Sequence, residues 1–74
     1  MERLLELLED IDADIDFKGS TTLIDDGILD SFAILEIVTE INDEFDVQIK
    51  ASDIVPENFN SVEAMWDMIE RLKN

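Results

Sequence analysis

The segment from Ser31 to Phe45 constrains the fold most, because apolar residues recur through it at helical spacing directly behind a helix-start signal. Asp30 occupies an N-cap position after a turn at Asp26-Gly27 and the pair Ile28-Leu29, and the periodicity begins at once after it. The pattern predicts a helix over about Ser31–Phe45, with Ser31 as its first residue and the hydroxyl facing outward.

On a wheel with Ser31 at 0° and about 100° per residue, Ile34, Ile37, Val38, Ile41 and Phe45 gather at about 240–340° and form a core stripe. Phe32, Leu35 and Thr39 fall at about 40–100°, on the other side of Ser31, with Glu36 and Asp43 beside them at about 120–140°. This second stripe has two explanations that can coexist. Phe32 and Leu35 can pack beneath the long loop that precedes the helix, or they can form an apolar patch, rimmed by carboxylates, that a basic partner grips.

The remaining elements follow in chain order. Leu4, Leu5, Leu7, Leu8 and Ile11 place a broad apolar stripe on a first helix at about Glu2–Ile11, with Glu6, Glu9 and Asp10 opposite. Asp10, Asp12, Asp14 and Asp16 resemble a calcium loop in spacing, but the template fails. Ile15 stands where the sharp turn needs glycine, and Thr21 where a bidentate carboxylate is needed. A solvated acidic turn is the expectation, with loose divalent-cation binding as the alternative.

From Ala13 to Asp30 the chain makes a long connection carrying Ile15, Phe17, Leu23, Ile24, Ile28 and Leu29, which should lie across the helices and add to their core. Gly19-Ser20 and Asp26-Gly27 supply its turns. Beyond Phe45, the segment 46–50 is too short and isolated for a sheet, and one helical turn capped by Ser52 should stop before Pro56. Pro56–Asn60 reads as irregular. A last helix starts near Ser61, capped by Asn60 or Ser61, with Val62, Met65, Met68, Ile69 and Leu72 inward, Trp66 at the edge, and Arg71 and Lys73 at the negative end of the dipole. The expected fold is all-α: a small bundle of three main helices plus one short helix, with a long ordered loop between the first two.

Composition narrows the chemistry. The 74 residues fit one small domain over 1–74, and a core of this size supplies no more than about 3–5 kcal/mol. With no cysteine there is neither a disulfide nor a thiolate metal site. A net charge of −15 repels nucleic acid and anionic membranes and favours basic protein partners, while 46% hydrophobic residues are enough to fold. The acidic, amphipathic start is unlike a signal peptide, and no apolar run approaches the ~20 residues of a membrane span, so a cytoplasmic protein without membrane insertion is expected. The chain has no histidine, cysteine or tyrosine and only 2 glycines. Ser31 therefore lacks a histidine to activate it, there is no phosphate-cradling loop, and self-contained catalysis is not expected.

Gly27-Ile-Leu-Asp-Ser31-Phe32, followed by Ala-Ile-Leu-Glu-Ile-Val and closing in Glu44-Phe45, resembles the acyl carrier proteins, in which an Asp-Ser-Leu motif receives a 4′-phosphopantetheine arm. In its form Gly-x-Leu-Asp-Ser-Phe it is most similar to the D-alanyl carrier proteins; Phe32 in place of the commoner leucine sets it apart from fatty-acid carriers. The later segment Ile54–Phe59 carries no specific likeness to the alanyl carriers.

The resemblance implies that a phosphopantetheinyl transferase moves the arm from coenzyme A to the Ser31 hydroxyl. The resulting phosphodiester would sit at a helix N-terminus, where free amides and the dipole favour an anion. It further implies an adenylating acyl or aminoacyl ligase that loads the thiol of the arm as a thioester, with D-alanine the leading cargo, and a downstream acyltransferase or synthase that unloads it. Asp30 is implied to help position the serine, and Phe32, Leu35, Glu36, Thr39 and Asp43 to form the docking face of a monomeric carrier. Two readings from other classes stand beside it: an acidic adaptor that only binds a basic surface, and a cation buffer using Asp10–Asp16.

Overall fold

The computed structural model describes residues 2–73. Four α-helices follow one another: α1, Glu2–Ile11; α2, Ser31–Phe45; α3, Pro56–Phe59; and α4, Val62–Lys73, with a 3₁₀ turn over Ala51–Asp53 between α2 and α3. Helix α1 packs on α2 and α4, and α3 on α4. Residues of the predicted stripes make this arrangement: Leu4, Leu7 and Leu8 from α1, Ile37 and Ile41 from α2, and Val62, Met65, Met68 and Ile69 from α4 meet in one buried cluster, joined by Phe59 from α3, which belonged to no predicted stripe. In α2 the inner stripe is graded, because Ile34, Val38 and Phe45 are half-buried at the margin of that cluster. The helix stops at Asp46, whose φ of 54° is a left-handed cap conformation that aspartate tolerates better than most residues.

The connection from Asp12 to Asp30 is woven into the core. Phe17, Leu23 and Leu29 are buried, and Ile15 and Ile24 half-buried against the same cluster. The radius of gyration of 11.0 Å is what a compact chain of this length shows, about 11 Å, so the loop adds no bulk outside the bundle. Ile28 departs from expectation: it is 40% exposed. Within the acidic stretch, Asp12 accepts the Asp14 amide and Asp16 the Gly19 amide, so two of the four carboxylates form turns. A Cβ on Gly19 would crowd the Asp16 carboxylate and push aside the acceptor of the Gly19 amide. Among the described residues no group of three acidic side chains converges as a metal cage would require.

Two local expectations are corrected and one open choice is decided. Pro56–Asn60 is not irregular: Pro56 opens α3, where its missing N–H costs nothing and its fixed φ suits the first turn, while Val55 before it is extended. The preceding turn is capped from Lys50 rather than Ser52, with the Asp53 carboxylate accepting the Lys50 amide. At the start of α4, Ser61 is the cap, its Oγ accepting the Ala64 amide at 3.1 Å, and Asn60 is engaged elsewhere. Trp66 sits at the core edge as read, edge-on to Phe45 at 5.7 Å, with the Lys73 ammonium 5.6 Å from both ring centroids.

Candidate functional site

Ser31 begins α2 because Asp30 caps it. The Asp30 backbone is extended (φ −90°, ψ 178°), its Oδ1 accepts the Ala33 amide at 2.8 Å, and its carbonyl accepts the Ile34 amide at 3.0 Å. The amides of Ser31 and Phe32 have no intrahelical acceptor, as first-turn amides never do. Ser31 is exposed, and among the described residues its hydroxyl has no partner. A free hydroxyl on an outward-facing first-turn residue, with unpaired amides and the positive dipole end beside it, fits the attachment of a phosphate-linked group.

The turn before it is fixed internally. Thr22 donates its hydroxyl to the Asp26 carboxylate, the Gly27 amide reaches the Ile24 carbonyl at 3.0 Å, and the Leu29 amide reaches the Leu23 carbonyl at 3.0 Å. Gly27 has φ +70°, where a side chain would be strained, and a Cβ there would meet nothing within 4 Å. Glycine is therefore required here by backbone conformation rather than by space.

The second stripe is open. Phe32 is 80% exposed and Leu35 59%, so neither packs beneath the loop, and that expectation fails. Phe32 stands in the first turn of α2, at an angle on the wheel away from the buried Ile37 and Ile41. Thr39, also exposed, donates its hydroxyl to the Leu35 carbonyl at 2.9 Å, which leaves its methyl as the group offered to a partner. Glu36 and Asp43 are exposed alongside. The large hydrophobics most exposed among the described residues are Ile28, Phe32 and Leu35, and all three bracket Ser31 in sequence. Ile28, 40% exposed, is the loop's member of this group.

Glu36 also borders a groove of about 310 Å³ between α1 and α2, which it lines with Arg3, Asp10, Glu40 and Glu44. Arg3 is already engaged, donating to Glu44 at 2.9 Å and to Glu6 at 3.2 Å. Its hydrogen bonds to Glu44 and Glu6 push the Arg3 guanidinium further up, and the bond from Arg3 holds the Glu44 carboxyl below its ordinary value. With its one cation paired, this flank of the apolar patch presents negative potential.

A helical bundle that presents one serine at a capped helix start, beside an exposed apolar stripe, is the architecture of a carrier protein. The family model described as a phosphopantetheine attachment site matches residues 2–69, and the chain belongs to that family. Its cofactor is 4′-phosphopantetheine. Within this class the chain is similar to the D-alanyl carrier protein of Listeria welshimeri, at 30% identity over 97% of this chain and 95% of the relative. It is similar too to the D-alanyl carrier proteins of Streptococcus gordonii (26%, over 100% and 99%) and Streptococcus sanguinis (24%, over 96% and 91%). Among the described residues no helix is long and apolar enough to cross a membrane.

Proposed function

We propose that Ser31 is the attachment point of the arm and that the chain is a monomeric cytoplasmic carrier of acyl or aminoacyl groups, with D-alanine, named in its relatives, as the leading cargo. The observation that carries this reading is the position of Ser31: exposed, partnerless and first in a helix capped by Asp30, with the exposed Ile28, Phe32 and Leu35 on either side of it in the sequence.

In the priming reaction the Ser31 oxygen forms a bond to the phosphorus bearing the pantetheine, the phosphoanhydride to the nucleotide of coenzyme A breaks, and the hydroxyl proton passes to the transferase. Asp30 keeps the hydroxyl outward by holding the first turn together. The Ser31 and Phe32 amides and the dipole of α2 stabilise the phosphodiester charge. The arm supplies a thiol, the functional group a chain with no cysteine lacks.

Phe32, Leu35 and the Thr39 methyl dock against an apolar hollow on each partner, while Glu36 and Asp43 select basic residues around it. The partners are a phosphopantetheinyl transferase, an adenylating ligase and a downstream acyltransferase or synthase. The chain itself catalyses nothing. Incubation with coenzyme A and a broad-specificity phosphopantetheinyl transferase should add about 340 Da to the wild type and nothing to Ser31→Ala. A folded wild-type chain that gains no mass would leave the acidic-adaptor reading in its place.

A further inference from the structure

We infer that Asn60, remote from Ser31 in the sequence, is a positioning residue for it; this rests on Ser31 being the attachment point. Asn60 makes four hydrogen bonds to three consecutive loop residues. Its Oδ1 accepts the amides of Ile24 at 2.9 Å and Asp25 at 3.0 Å, its Nδ2 donates to Asp25 Oδ2 at 3.1 Å, and its carbonyl accepts the Leu23 amide at 2.9 Å. The Leu23 carbonyl in turn accepts the Leu29 amide at 3.0 Å, closing the loop immediately before Asp30 and Ser31. Asn60 is itself immobilised, since its amide donates to the Pro56 carbonyl at 2.9 Å and the next residue, Ser61, caps α4.

A continuous run of hydrogen bonds thus leads from the α3–α4 corner to the base of the helix that presents the serine. A carboxamide suits the place because it accepts from two amides and donates to a carboxylate at once. Neither alanine nor aspartate does all three. Releasing the clamp leaves the half-buried Ile24 amide without its acceptor and lets the turn wander, while the α2 docking stripe stays intact. The effect therefore falls on the reacting geometry at Ser31 rather than on recognition of the carrier.

The test uses the full chain in four forms: wild type, Asn60→Ala, Asn60→Asp, and the exchanged pair Asp25→Asn/Asn60→Asp. In the exchanged pair the donor and acceptor swap sides, and both loop amides keep an oxygen to bond. Priming kinetics with coenzyme A and the transferase, and amide exchange of Leu29, are read on forms with wild-type helical content. Asn60→Ala and Asn60→Asp should lower kcat about tenfold with an unchanged KM for the carrier, and speed Leu29 exchange; the exchanged pair should recover both. Wild-type kcat and exchange in Asn60→Asp, or no recovery in a folded exchanged pair, would overturn the positioning role alone. A wild-type chain that accepts no arm would overturn the attachment reading and this inference with it.

Discussion

The Asp30 carboxylate accepts the Ala33 amide at 2.8 Å, and this contact makes Ser31 the first residue of α2. Removing it should have two separable consequences. Asp30→Ala loses an N-cap worth about 1 kcal/mol, which lowers the melting temperature of a domain this small by about 4–8 °C. Priming of the folded variant should slow by more than the unfolded fraction explains, because fraying of the first turn moves the Ser31 hydroxyl. Thermal unfolding and single-turnover priming, measured on one preparation, check both.

The open stripe makes a contrasting prediction. Phe32 is 80% exposed, so Phe32→Ala should change stability by no more than about 0.5 kcal/mol. Glu36→Lys should be equally mild. Both should nevertheless impair loading by the adenylating ligase, Phe32→Ala by removing apolar contact and Glu36→Lys by reversing a selecting charge. Loading kinetics beside circular dichroism decide the matter, and wild-type loading by either variant would remove that residue from the docking face.

How much of this was legible beforehand depends on the range of the interaction. Helices α1, α2 and α4 were readable because a cap and a periodic stripe are local signals, and Asp30 and Ser61 carry them. Helix α3 was missed because Pro56 reads as a breaker from its N-terminal side, although at the first helical position it is favourable. The inward Leu29 and the outward Ile28 could not be told apart, since no period governs adjacent apolar residues in a loop. Asn60 was one of two candidate caps beside Ser61, and its actual bonds reach 36 residues back to Ile24, a separation at which no sequence pattern operates.

Acid should weaken the tie between α1 and α2. Arg3 depresses the Glu44 carboxyl in the folded state, so the bridge contributes stability at pH values above the ordinary carboxylate range. That contribution is lost as pH falls through the lowered folded value. The difference in melting temperature between wild type and Arg3→Gln should therefore be present at neutral pH and close as the medium becomes strongly acidic. Added salt should shrink it too, because both partners are exposed. A gap that widens on acidification would contradict this account.

Phe59 is fully buried although it belongs to the shortest helix. Phe59→Ala should cost about 3–5 kcal/mol, comparable with the whole supply of a core this size, about 3–5 kcal/mol. The variant should be largely unfolded at 37 °C by circular dichroism. A native-like, cooperative melt would mean that α3 is dispensable to the core.

The central claim is that Ser31 carries the arm, and the most direct measurement is mass spectrometry of the chain isolated from its own cells. Cleavage after Lys18 and Lys50 releases a peptide, residues 19–50, that contains both Ser20 and Ser31. Fragmentation should place an addition of about 340 Da, together with any cargo, on Ser31. An arm on Ser20 or another hydroxyl, or an unmodified chain from cells that contain an active transferase, would contradict it.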